Sequence, residues 1–237
     1  MNIKYKKLGY FAISLFILLL SFVFNSNEAK AAKSITKTNL LQGINEINYQ
    51  SSQLKESKVK IYKKLEKDLS EFTDKGSSNI KSTNMFYVLR ENDFDASDYE
   101  NAIKNTGLRG LGEAFKKAEE EYGVNGILLM AMAKHETGNG TSELFLNKNN
   151  LFGFNAYDYY PYNQASKFDS PADSINTVAK HLADNYLDSE GAYYNGMSTD
   201  GIGVDYATDP DWSKKVNWMM IEVGQNMIDE FNLKTSR

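Results

Sequence analysis

The longest apolar run lies at the start of the chain. Leu8 to Phe24 is apolar apart from single Gly and Ser positions, and it follows Lys4, Lys6 and Lys7. Residues 33 to 52 are polar and carry no period, as a tether or a loosely packed extension would. From Gln53 to Phe72 the apolar positions are Leu54, Ile61, Tyr62, Leu65, Leu69 and Phe72. The later ones recur at three and four, which predicts a helix with one apolar face. That face packs on its own domain or on a partner helix; three heptads are too few to require a coiled coil. Gly76-Ser77-Ser78 breaks the pattern, and Thr83 to Arg90 reads as a short extended segment. Ser97 followed by Glu100 has the spacing of a capping box and opens a short helix.

The second half is more strongly patterned. Leu111 to Tyr122 is amphipathic, and Gly123 supplies a left-handed stop. Ile127 to Ala133 is apolar at every position, which predicts a central helix buried on all sides. Lys134, His135, Glu136, Thr137 and Gly138 emerge from its end. Leu151 to Asn155 and Gln164 to Phe168 read as two short strands around the loop Ala156 to Asn163. Ser170-Pro171-Ala172-Asp173 is a helix start, with Ser as N-cap and Pro at the first position. Its apolar face is Ile175, Val178, Ala179, Leu182 and Tyr186. Residues 188 to 206 read as loop, with four glycines among tyrosines. Asp209-Pro210 opens a last helix whose stripe is Trp212, Val216, Met219, Met220, Val223, Met227 and Phe231. No internal repeat is present. The expected fold is α+β, mostly helical, with a small β-hairpin lobe and a helical N-terminal extension.

Composition narrows the function. The 237 residues include 27 Lys+Arg, 31 Asp+Glu and no cysteine. Disulfides, thiolate catalysis and Cys-ligated metal sites are therefore excluded. The acidic balance lacks the clustered positive charge that nucleic-acid binding needs, so no nucleic-acid partner is expected. The basic start, the apolar run and the small-residue pattern Ala29-Lys30-Ala31 together read as a secretory signal peptide, or as an N-terminal anchor if it is retained. Cleavage after Ala31 removes four of the basic residues and one of the acidic ones, leaving a net charge near −7. The expected organisation is a leader or anchor at 1–31, a linker and helical extension at 32–106, and a catalytic domain at 107–233. An exported, monomeric protein follows, with a membrane-protein partner if the leader is retained.

Glu136 is the centre of the candidate chemistry. A carboxyl at the end of an apolar helix is desolvated and faces the negative end of the helix dipole, and both raise its pKa towards general-acid duty. Gly138 and Gly140 beside it would leave room for a substrate ring. On spacing alone, a carboxylate that caps a loop or pairs with Lys134 is the plainer reading. His135 and His181 are the only histidines, so a multi-histidine metal site cannot be built. No cofactor motif is present. Tyr157, Tyr159, Tyr160, Tyr162, Tyr186, Tyr193, Tyr194 and Tyr206 follow Glu136 in loops and at helix edges. Their ring faces suit the apolar faces of sugars and their hydroxyls suit sugar edges. Alternatively, part of the cluster covers a small core.

Three motifs then occur in order: His135-Glu136-Thr137-Gly138-Asn139-Gly140-Thr141-Ser142, Asn149-Asn150-Leu151-Phe152-Gly153, and Tyr206-Ala207-Thr208-Asp209-Pro210-Asp211-Trp212. Together they resemble the bacterial peptidoglycan N-acetylglucosaminidase domain of glycoside hydrolase family 73, of the staphylococcal autolysin type. The resemblance spans roughly residues 107 to 233. It implies a lysozyme-like fold and hydrolysis of the β-1,4 bond after N-acetylglucosamine in peptidoglycan glycan strands, in cell-wall turnover or separation. It implies Glu136 as general acid, with the second group supplied by Asp158, Asp169, Tyr206 or the substrate acetamido group; Asp158 is the preferred candidate. Canonical hydrolases set two carboxyls about 5–5.5 Å apart for retention and about 6.5–9.5 Å for inversion. Asn150, Phe152 and Gly153 would line the cleft floor with Tyr157, Tyr193 and Tyr194 as further sugar contacts, and Trp212 would brace the last helix. No cofactor or metal is implied. The alternatives are a muramidase or lytic transglycosylase on the same fold, and an inactive wall-binding or membrane scaffold protein.

Overall fold

In a computed structural model of the chain, residues 27–156 and 164–236 are described. The chain divides into a unit at Met1–Ser57 and a compact unit at Lys58–Arg237. One helix, α1 (Asn27–Lys75), runs through the boundary. The polar residues 33–52 are thus helical. They contain one glycine and no proline, so nothing in them stops a helix once it is formed. In the first unit Leu41, Ile44, Ile47, Tyr49 and Leu54 are exposed. In the second, Tyr62, Leu65, Leu69 and Phe72 are buried, as the stripe predicts. Among the described residues no helix is long and apolar enough to cross a membrane. The apolar run Leu8 to Phe24 falls outside those residues.

A 3-10 turn at Ser77–Asn79 follows α1, and then a turn-rich segment, not the extended one expected. The reason is local. Asn84 accepts from the N–H of Phe86 and Asp68 from that of Met85, so side chains take the bonds a strand would have used. Helix α2 (Ala96–Ile103) does not start on the Ser97–Glu100 pair. Asp95 is its N-cap, in a capping box with Asp98. Glu100 instead accepts from the N–H groups of Gly110 and Gly112, at the start of α3 (Gly112–Tyr122). Gly123 ends α3 at φ 70°, in the left-handed region.

Helix α4 (Gly126–Thr137) is the hub, and Ile127 to Ala133 are fully buried as predicted. It packs against α3 and the last helix, α8 (Trp212–Thr235). Glu119 of α3, fully buried, accepts from Tyr99 Oη at 2.7 Å and from the Gly126 N–H at 2.9 Å. Those bonds fasten α2, α3 and the start of α4 together. Gly126 makes room for the Tyr99 ring, since a Cβ there would lie 2.5 Å from it.

The β-hairpin lobe is not formed. Among the described residues there is no strand, and the isolated bridge is Leu89 with Val124. After α5 (Glu143–Lys148) the chain turns through Asn149, Gly153 and Asn155, all at positive φ. The Asn150 side chain accepts from the N–H groups of Phe152 and Phe154 and donates to the carbonyls of Phe154 and Ser166. One buried amide thus replaces most of the ladder, which a strand reading cannot anticipate. Two backbone bonds, Ser166 to Phe154 and Phe168 to Lys148, join the segments. Helix α6 (Pro171–Asn185) starts on Ser170 as expected, with Asp173 N–H bonded to its hydroxyl. Residues 188–206 are not all loop, because Ser198 caps α7 (Thr199–Tyr206). Its glycines disguise it in sequence. Gly201 is needed there, as a Cβ would lie 2.4 Å from the Gly196 carbonyl oxygen.

Candidate active site

Glu136 lies in the last turn of α4, ahead of Gly138 at φ 56°. Thr137 stabilises the turn by donating to the Ala133 carbonyl and accepting from the Gly140 N–H. Lys134 is buried and pairs with Glu222 of α8 at 3.1 Å, so it does not neutralise Glu136. The partner of Glu136 is Trp212, whose Nε1–H donates to Oε1 at 2.9 Å. Trp212 is the first residue of α8 and only 2% exposed, so this bond is shielded from water. Burial raises the Glu136 pKa, and the indole N–H and the charge of His135 offset that only in part. The result is a carboxyl biased towards its protonated form and held in one orientation.

Two further groups complete the pocket wall. The Tyr206 ring lies 4.9 Å from that of Trp212, and its hydroxyl donates to the Phe152 carbonyl at 3.2 Å. Burial, then the nearby Glu136 carboxyl, push the Tyr206 phenol well above its ordinary value, so it stays protonated. Gly153 follows, and a Cβ there would lie 4.0 Å from Glu136 Oε2. Aromatic contacts continue outward from Tyr206 to Tyr186 at 5.9 Å and from Tyr186 to Tyr193 at 5.1 Å. His181 joins them at 5.6 Å from Tyr186, and Phe154 lies 5.3 Å from His181.

The structure therefore brings Glu136, Tyr206, Phe152 and Gly153 together. Asn150 is buried and holds the 150–154 turn, and Phe152 is buried behind its own carbonyl. Tyr193 and Tyr194 are 41% and 36% exposed, and Tyr193 ends the aromatic run. Asp158 and Tyr157 lie outside the described residues. Gly140 does not open space beside the acid: a Cβ there would lie 2.6 Å from the Gly107 backbone, so this glycine serves loop packing. Gly153 is the glycine facing Glu136. Sequence reasoning gave Trp212 only a bracing role and missed its bond to the acid. The one available signal was an indole N–H on a position predicted to be buried, which needs an acceptor.

The fold thus gathers a partly desolvated carboxyl, an indole N–H bonded to it and a run of tilted and edge-on aromatic rings. Residues 112–225 match the model of the glucosaminidase family, described as mannosyl-glycoprotein endo-beta-N-acetylglucosaminidase. It is 36% identical over 125 residues to a putative endo-beta-N-acetylglucosaminidase of Streptococcus pneumoniae, covering 53% of this chain and 19% of that protein. It is 32% identical over 136 residues to a bifunctional autolysin of Staphylococcus aureus, covering 47% of this chain and 11% of that one. The chain thus spans a fifth or less of the length of these relatives. Among solved structures, S. aureus autolysin E aligns at a TM-score of 0.48 and 26% identity, over 63% of this chain and 75% of that one.

Proposed function

We propose that this protein is an endo-β-N-acetylglucosaminidase. Its reaction hydrolyses the β-1,4 bond after N-acetylglucosamine in peptidoglycan glycan strands, on the outer side of a Gram-positive cell. The observation that carries this reading is the half-buried Glu136 carboxyl, held by Trp212 Nε1 at 2.9 Å beside the open side of Gly153. Glu136 gives its proton to the glycosidic oxygen as the C1–O bond breaks, and water adds at C1 of the oxocarbenium-like centre while its released proton passes to a carboxylate, which lets Glu136 return to the acid form. Asp158 is the proposed second carboxyl. Tyr206, kept protonated, holds the Phe152–Gly153 wall rather than acting as a nucleophile. Tyr193 and Tyr194, with the rings behind Tyr193, provide faces for the sugars. The names of the relatives favour this bond over the muramidase or transglycosylase alternative.

Digestion of purified sacculi followed by mass spectrometry of the new ends tests the bond. N-acetylglucosamine reducing ends are expected, and muramic or anhydromuramic ends would overturn the assignment. Glu136→Gln should lower the cleavage rate by about 10²–10⁴-fold, the usual contribution of a general acid. Sacculus binding should persist, and normal cleavage by this variant would remove Glu136 from the role.

A further inference from the structure

Trp212 reaches Glu136 only if the start of α8 is fixed in both position and rotation. The bonds that fix it converge on Thr199, the first residue of α7, which is fully buried. Thr199 Oγ1 lies 2.8 Å from Asn217 Oδ1, 3.0 Å from Ser213 Oγ and 2.6 Å from Ser77 Oγ. Its backbone N–H donates to Ser77 Oγ at 3.2 Å. Asp200 accepts from Ser213 and from Ser78. Asn217 Oδ1 has no proton to give, so Thr199 donates to it. Ser77 then donates to Thr199, and Ser213 to Asp200. In this way each hydroxyl proton is used once: Thr199 ties the 3-10 turn and α7 to Asn217 of α8, the neighbouring Asp200 ties Ser213, and the Thr199–Ser213 approach is a polar contact with no proton of its own.

Helix α7 also shapes the slot in which the indole sits. A Cβ at Gly203 would lie 3.1 Å from Trp212 Cε3, and Tyr206 covers the ring from the end of the same helix. A rotation of α8 against α7 would therefore move the indole N–H off the carboxyl.

We propose that Thr199 is a positioning residue for the reaction: its buried hydroxyl locks α7 to α8 so that Trp212 is held on Glu136. The inference rests on the reading of Glu136 as the acid. Without the indole bond, the burial of Glu136 is less opposed, and its protonated form persists to higher pH. Misplacing the acid slows the chemical step more than it weakens substrate binding.

The test uses the full chain and a soluble peptidoglycan glycan oligomer. Thr199→Val removes the hydroxyl at nearly constant volume, and Thr199→Ser keeps it. Thr199→Val should lower kcat by about tenfold with KM within about twofold, and move the basic limb of the pH profile upward. Thr199→Ser should behave as wild type. Trp212→Phe should give the same shift, and Thr199→Val should add little on top of it, because both act through one bond. A Thr199→Val profile that superimposes on wild type, or a loss that adds in full to that of Trp212→Phe, overturns the proposal. Should Thr199→Val fail to fold, Ser77→Ala removes one donor into Thr199; a smaller upward shift supports the link and an unchanged profile overturns it.

A readout independent of activity comes from the two tryptophans of the chain. In ¹H–¹⁵N spectra the Trp212 indole signal, assigned by its loss in Trp212→Phe, should move in both Thr199→Val and Glu136→Gln while that of Trp218 stays. Normal cleavage by Glu136→Gln would defeat the acid reading, and the indole signal would still test the link. An inactive Glu136→Gln beside an unmoved indole signal in Thr199→Val would defeat the link alone.

Discussion

In the proposed reaction Glu136 serves two opposed conditions. It must be protonated to donate, yet it sits where a charge is poorly solvated once the proton has gone. Burial resolves this in favour of the acid form, with the Trp212 indole limiting the shift. Cleavage should therefore show a basic limb above the ordinary glutamate range near 4.5, falling as pH rises through the raised Glu136 pKa. A profile of kcat/KM against pH on the free enzyme measures that limb, and a limb in the ordinary range would contradict the assignment. The same shift has a cost in stability. A carboxyl whose folded pKa lies above its unfolded value binds the proton more tightly when folded, so its ionisation weakens the fold as pH rises. Glu136→Gln should then be more heat-stable than wild type at neutral pH, with the gap closing below the unfolded value. Glutamine can still accept the indole N–H through Oε1.

At the scale of elements, local signals worked where the partner was local. Gly123 and Ser170 end and start their helices as expected, since a cap bonds to residues three or four positions away. They failed where a side chain from elsewhere took the backbone's bonds. Asn150 did so in the expected hairpin, Asp68 in the segment after Thr83, and Glu100 at the start of α3. Asp95 gives a test of a cap that the Ser97 pattern concealed. It accepts from the N–H groups of Ser97 and Asp98, and Lys58 lies 2.7 Å away. Burial opposes its ionisation, but the Lys58 ammonium and these donors hold its pKa down at about 2. Asp95→Ala should cost about 1 kcal/mol at neutral pH, the usual value of a cap. The exposed ion pair adds little to that. Because the folded pKa is depressed from 3.8, this contribution is present above that value and lost as pH falls through about 2. Denaturant titrations of both proteins at neutral and acid pH should therefore show the gap narrowing.

For the whole molecule, the compact unit begins at Lys58, well ahead of the segment that matches the glucosaminidase family. Tyr62 stacks on Phe231 at 4.0 Å, and Phe86 fills the space that the missing side chain of Gly224 leaves on α8. A chain starting at Lys58 should accordingly unfold in one cooperative transition. A chain starting at Gly107 loses Tyr62, Phe72, Phe86 and Tyr99 from the core. Removing a single buried aromatic side chain costs about 3–5 kcal/mol, against a total stability of about 5–15. That shorter chain should therefore show no cooperative melt by circular dichroism, and a normal melt would assign residues 58–106 a dispensable role.

The sequence by itself determined the helical frame, the fully apolar α4 and the acid at its end, because periodicity and caps are written in neighbouring residues. The family resemblance also pointed to Tyr206 and Gly153, which the fold brings close to Glu136. Only the tertiary structure decided that Trp212 holds Glu136, that Lys134 turns instead to Glu222, and that Gly140 packs on Gly107 while Gly153 faces the acid. Each of these depends on which two distant segments meet. A hydrogen bond across 76 positions, such as that from Trp212 to Glu136, leaves no local period in the chain.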